Sequence, residues 1–135
     1  MLHLYSKGCE YAIQALTVIR LKESRSGFSV KSVCKNAKIP ESFTRKIFQT
    51  LVKCHILAAR SGPGGGYRFQ KDPTKISLLN FICAIDGKDT FDKCIIKDFK
   101  CDQSNYCPLH PMWVKSKNNL MKELNSSAVA KLMEP

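Results

Sequence analysis

Three thiols and an imidazole stand closest to chemistry in this sequence. Cys94, Cys101, Cys107 and His110 follow the spacing C-x6-C-x5-C-x2-H within seventeen residues of polar loop. Four soft or borderline ligands so close together can close around a metal, and both zinc and iron–sulfur accept a Cys3His set. Zinc sites usually present paired C-x2-C knuckles, and this loop has none. Its wide spacing suits a larger, multi-iron cluster better. A thiol–disulfide switch stays open, as does a nucleophile–base pair of Cys107 and His110 in a thiol-dependent enzyme. No oxyanion hole or substrate pocket is legible to support the enzyme. Cys34, Cys54 and Cys83 fall in or beside helical stretches, where a free cysteine is expected to be a small buried hydrophobe. Cys9, beside Glu10, is a further possible ligand, whereas His3 and His55 belong to no constellation.

The compartment follows from what surrounds these thiols. Seven cysteines accompany an N-terminus, MLHLYSKGCEYAIQ, that lacks the apolar core and cleavage site of a signal peptide. A reducing, cytoplasmic setting is therefore expected, where clustered thiols bind metal more often than they form structural disulfides. No apolar run approaches the roughly 18 residues of a membrane span. The formal charge of +11, from 22 Lys and Arg against 11 Asp and Glu, calls for a polyanionic partner. Between Lys31 and Lys71 nine basic residues face one acid, Glu41, so the positive field is concentrated in one segment. Double-stranded DNA is the partner that field fits.

Elements must position both the basic segment and the cysteine loop. Ser6 is placed to cap a first helix burying Ala12, Ala15, Leu16 and Ile19, and the polar run KESRSG ends it. A short second helix follows Ser29 and buries Val30, Val33 and Ala37. After the break NAKIP a third helix opens near Pro40, with Glu41 at its positive end and Phe43, Ile47, Phe48 and Leu51 as the inward stripe. This pair reads as a helix-turn-helix. Ser42, Thr44, Arg45, Lys46 and Gln49 are the expected groove-facing residues, while Lys31, Lys35, Lys38 and Lys53 are expected on phosphates. ILAA and GYRF, joined by RSGPGGG, predict a hairpin wing whose Arg60 suits the electronegative minor groove. No Gly-Lys-Ser/Thr follows, so this is not a nucleotide loop. Ser77 caps a fourth helix with Leu78, Phe81, Ile82 and Ile85 inside and Gly87 as its stop. Trp113, Leu120, Leu124 and Leu132 mark a long C-terminal amphipathic helix, expected to form an intersubunit seam. The fold class read from this order is mainly α with a small β-hairpin wing. Residues 1–75 would form a winged helix-turn-helix domain. Residues 76–135 would hold a linker helix, the cysteine loop at about 91–110 and a dimerisation helix.

Taken together, SKGCEYAIQAL, IPESFTRKIFQTLVK, RSGPGGGYRF and CIIKDFKCDQSNYCPLHPMW resemble, over nearly the whole chain, one family of bacterial regulators. It is the winged-helix iron–sulfur transcription regulators that include IscR and NsrR. The resemblance implies a homodimer, usually a repressor, that presents two winged helices to a near-palindromic operator and senses cluster supply, redox stress or nitric oxide. It implies that the three loop cysteines hold a cluster. His110 matches the fourth ligand of the IscR-like members and would give a 2Fe–2S centre. Glu10 matches the helix-one acid of the NsrR-like members and would give a 4Fe–4S centre. His110 with a 2Fe–2S centre is the expected arrangement. A zinc-stapled or thiol-switched regulator is the alternative. The chain departs from the IscR pattern in three places. One extra residue lies between Cys94 and Cys101, Arg45 stands where IscR has a glutamate, and Ser61 separates Arg60 from the Gly-Pro-Gly of the wing.

Overall fold

The computed structural model describes residues 5–62, 66–92 and 108–135. Helix α1 runs Lys7–Leu16, and its N-cap Ser6 accepts a hydrogen bond from the Cys9 backbone N–H at 3.1 Å. Its expected face is buried: Ala12, Ala15 and Leu16, with Ile19 just beyond the helix end. The polar run that follows coils into a short 3₁₀ turn over Leu21–Glu23. Helix α2 spans Val30–Ala37, capped by Ser29, and it buries Val30, Val33 and Cys34, leaving Ala37 half-buried. Lys38 stops it in the left-handed conformation (φ 57°), and its N–H returns to the Cys34 carbonyl. Three residues later α3 begins, covering Glu41–Lys53, with Pro40 as N-cap at φ −66°. His55, also left-handed at φ 61°, ends that turn of chain. Two helices on a three-residue turn make the helix-turn-helix.

The wing is a two-stranded antiparallel hairpin, β1 Leu57–Arg60 and β2 Gly66–Phe69, in the register Leu57 to Phe69 and Arg60 to Gly66. The first strand starts one residue later than expected because the Ile56 N–H closes back on the Leu51 carbonyl (3.0 Å). Phe28 then pairs with Tyr67 on the other side of β2 through two bonds of 2.8 and 3.0 Å, so β2 runs between two neighbours. Gly66 permits this: a Cβ there would meet the Phe28 carbonyl, with its carbon at 3.1 Å. Tyr67, Phe69 and Phe28 face inward, with Phe48 of α3 edge-on to Tyr67 at 5.4 Å and to Phe28 at 6.1 Å, and Phe69 against Phe28 at 6.2 Å.

Helix α4, Leu78–Asp86, is capped by Ser77 and stopped by Gly87 at φ 97°. Phe81 and Ile82 are buried as expected, while Leu78 and Ile85 are half-buried. Its last residue ties α4 to the start of α1, because the Asp86 carboxylate accepts both the N–H (2.8 Å) and the hydroxyl of Ser6. Helix α5 occupies His110–Ser126 and packs along α4, with Trp113 buried.

The expected continuous helix through Leu132 is not what forms. Ser127 turns extended (φ −106°, ψ 126°), and a short 3₁₀ turn, Val129–Leu132, doubles back. The reason is burial: Val129 and Met133 enter the same hydrophobic cluster as Ile19, Phe28, Phe69 and Phe81. Backbone bonds fix this return. Ser127 and Ile76 carbonyls accept from Leu78 and Val129 at 2.8 Å each, and Glu134 exchanges bonds with Leu21 (2.7 Å) and Ile19 (3.1 Å). One core therefore crosses the 75/76 division drawn from sequence. The arrangement is a winged helix-turn-helix, mainly helical, with one two-stranded hairpin.

Candidate nucleic-acid interface and metal-loop anchor

Helix α3 buries Thr44, Phe48 and Leu51, with Ile47 half-covered, a stripe at i, i+3, i+4 and i+7. Its opposite face carries Ser42, Arg45, Lys46, Gln49 and Lys53, all exposed. Arg45 is held by an ion pair with Glu41 one turn back (Nε to Oε2, 3.4 Å). Both ends of that pair are open to solvent, so it is weak and easily exchanged for another acceptor.

Two assignments made from sequence on this helix are corrected. Thr44 does not face a groove. It is 0% exposed, and its hydroxyl donates to the Pro40 carbonyl at 2.6 Å, inside the contact with Cys34 of α2. Phe43, expected in the inward stripe, is 42% exposed instead. It lies a quarter turn off the buried line, edge-on to Tyr11 of α1 at 5.6 Å. The spacing of Thr44, Ile47, Phe48 and Leu51 was the signal. A hydroxyl that can bond back to the i−4 carbonyl is compatible with burial in a helix.

Lys31 and Lys35 are exposed on α2, Lys38 is exposed at its end, and Lys53 is exposed at the end of α3. Arg60 and Arg68 are exposed on the wing, whose residues 63–65 lie outside the described set. Arg60 is not simply projecting. Its side chain lies against Gly27, where a Cβ would meet the guanidinium and come within 2.5 Å of Cδ. Sequence reading gave no role to Gly27. Gly8, likewise unassigned, lets α1 approach α3 so closely that a Cβ would sit 2.6 Å from Ile47 Cδ1.

Cys94, Cys101 and Cys107 lie outside the described residues. His110 is the first residue of α5 and is half-buried. Glu10 is half-buried on α1, where Lys7 lies 3.2 Å from one carboxylate oxygen and Gln14 donates to the other at 3.4 Å. Among the described residues no three His, Cys, Asp or Glu side chains converge on a metal-sized site.

The four described cysteines are free thiols. Cys9 is fully buried with Ile82 and Phe91, and Cys83 packs against that group. Burial pushes the Cys9 thiol up to about 12, with Asp86 and then Cys83 adding to the rise. Burial also raises Cys34 and Cys83. A thiol so disfavoured as thiolate is a poor metal ligand and nucleophile. Cys54 departs from expectation, being exposed at the end of α3 with its thiol directed at the Ala84 carbonyl (3.7 Å). Among the described residues, no helix is long and apolar enough to cross a membrane.

Residues 5–135 match the model of the Rrf2 family, described as an iron-dependent transcriptional regulator. The HTH-type transcriptional regulator IscR of Vibrio vulnificus is 30% identical over 130 residues, covering 96% of this chain and 76% of that protein. Among solved structures, IscR of T. potens superposes with a TM-score of 0.69 at 20% identity, over 94% of this chain and 83% of its own. CymR, the global cysteine regulator of B. subtilis, superposes with a TM-score of 0.74 at 17% identity, over 99% of this chain and 100% of its own. These two likenesses carry the fold. The thiol-enzyme alternative gives way, since the family is one of regulators and not enzymes. With a basic, outward-facing α3 beside a wing, the chain belongs to the Rrf2 family of DNA-binding transcriptional regulators.

Proposed function

We propose that this chain is a cytoplasmic, homodimeric repressor whose hold on its operator depends on an iron–sulfur cluster. Cys94, Cys101, Cys107 and His110 would hold the cluster, which would supply a redox-labile centre with one non-thiolate corner. The observation that carries the reading is the position of His110. It opens α5, three residues after Cys107, and α5 runs on into the tail that is bonded to the winged-helix core. Helix α5, which His110 opens, is thus tied through the tail to the DNA-binding unit.

The donor set fits. A neutral imidazole beside three thiolates lowers the negative charge on the centre and favours a raised reduction potential. His110 is preferred to Glu10 because it follows Cys107 by three residues and completes the C-x6-C-x5-C-x2-H spacing within one stretch of chain, whereas Glu10 belongs to α1. Base reading falls to Arg45, Lys46, Gln49 and Ser42, with Arg60 at the minor groove. Lys31, Lys35, Lys38 and Lys53 position the protein on phosphates.

Anaerobic purification with iron and acid-labile sulfide analysis tests this, alongside DNA binding by the loaded and stripped forms. Iron and sulfide bound together, and an affinity that changes on stripping, are expected. Mössbauer spectra of wild type, His110→Ala and Glu10→Ala assign the fourth ligand, and only the histidine variant is expected to change. Colourless protein with stoichiometric zinc and no sulfide would replace this reading with a zinc-stapled regulator. A second reading, a thiol switch, is favoured by one observation: Cys54 is exposed at the end of α3. An affinity that responds to thiol oxidants in cluster-free protein, and is lost in Cys54→Ala, would select it.

A further inference from the structure

We propose that Gly27 is the positioning residue of the wing arginine. Its missing side chain forms the notch that holds the Arg60 guanidinium in place for the minor groove. This rests on the DNA-reading part of the function above and is independent of the cluster.

The geometry comes from three neighbouring segments. Arg60 ends β1 opposite Gly66 of β2, and β2 in turn pairs with the segment at Phe28. Tyr67, Phe69 and Phe28 are buried on the inner face, which leaves Arg60, Gly66 and Arg68 on the outer one. Gly66 presents no side chain to obstruct Arg60. The arginine therefore lies against Gly27 on the far side of β2, and its Cδ and Cζ would be 2.5 and 2.8 Å from a Cβ placed there. Gly27 itself sits at φ 130°, a conformation L side chains rarely adopt, and its N–H donates to the Glu23 carbonyl at 2.9 Å. The backbone conformation thus disfavours a side chain at this position, and a Cβ placed there would displace the flexible end of Arg60 from the notch.

The arrangement has a physical point. An arginine at the end of a strand has many rotamers to give up on binding, and ordering a long side chain opposes association. Resting the guanidinium in a backbone notch removes part of that cost beforehand. It also gives Ser61, which separates Arg60 from the glycine-rich tip, a tolerable place. The arginine is aimed by Gly27 and does not need to adjoin the Gly-Pro-Gly.

The test is in vitro selection from random duplex DNA. The baits are wild type, Arg60→Ala, Gly27→Ala, the double variant and Arg68→Ala, each purified anaerobically as the full chain. Arg60→Ala is expected to lose preference at A/T-rich positions flanking the α3 contacts by about fivefold or more. Gly27→Ala should lose the same positions by the same factor and keep the rest of the motif. The double variant should match either single one, and Arg68→Ala should leave those positions unchanged. A Gly27→Ala profile like wild type, stronger flank preference, or losses that add in the double variant would overturn the proposal. Circular dichroism checks that Gly27→Ala folds. If its φ is too costly, Arg60→Lys with Gly27 intact keeps the charge but not the guanidinium that the notch holds, and it is expected to lose the same flanking positions, a wild-type profile overturning the proposal. Failure of wild type to enrich any sequence would remove the DNA-reading premise itself, a result distinct from an indifferent Gly27.

Discussion

Thr44 and Arg45 are adjacent in the chain and face opposite ways, one buried and one exposed. The Thr44 hydroxyl is buried and satisfied by the Pro40 carbonyl, so Thr44→Val removes one neutral hydrogen bond and leaves that carbonyl poorer. A loss of about 1 kcal/mol in folding stability is expected, by urea titration, with sequence preference on DNA unchanged. Arg45→Ala should do the reverse. Fold stability stays near wild type, since only an exposed ion pair is lost, while binding to the selected operator weakens by about 1–3 kcal/mol. Anisotropy titrations on operator and random duplex distinguish the outcomes. Equal losses on both duplexes would deny Arg45 a base-reading role. Cys9 supplies a pH dependence. Its thiol is held above its ordinary value of 9.0, up to about 12, so the folded state keeps a proton that the unfolded chain releases. That stability is complete below pH about 9 and is lost as the pH climbs toward 12. An alkaline unfolding curve should therefore flatten in Cys9→Ala, and an unchanged slope would contradict the assignment.

At the scale of elements, the contact of α1 with α3 turns on Gly8. Alanine is normally better than glycine within a helix, by up to about 1 kcal/mol. Here the added methyl would meet Ile47 Cδ1 at 2.6 Å, and overpacking costs about 1–3 kcal/mol. Gly8→Ala should lower the Tm in the wild-type background and raise it in Ile47→Val, where that methyl is absent. A fall in both backgrounds would mean the clash lies elsewhere. Much of this level could be read from sequence. Ser6, Ser29 and Ser77 each cap the helix expected of them, because a short hydroxyl before an apolar period satisfies the first free N–H groups. The two strands of the wing were legible from ILAA and GYRF, although β1 begins one residue later than expected. What eluded reading depends on distance in space. Thr44 reads as polar until its i−4 carbonyl is seen. Gly27 reads as the end of a loop until Arg60, thirty-three positions on, lies against it. The Leu132 error has the same root. Periodicity extends past Ser126, but only the contacts of Val129 and Met133 with the core reveal the reversal.

For the whole molecule, the tail matters more than its length implies. Removing residues 127–135 deletes none of the residues proposed to meet DNA, yet exposes the core that Val129 and Met133 cover. Two buried side chains at about 1.5–3 kcal/mol each are comparable with the lower end of a small domain's entire stability. The truncated chain should melt well below wild type and bind DNA only at low temperature. A Tm within about 2 °C of wild type would show the tail to be dispensable. The same feature bears on how the molecule is made. Ile19, translated early, receives its last core neighbours only when residues 129–133 have left the ribosome. The DNA-reading unit is therefore completed after synthesis of the cysteine loop, never before it. A nascent chain arrested short of residue 129 should stay sensitive to protease along its first helices, so that no half-made polypeptide competes for promoters.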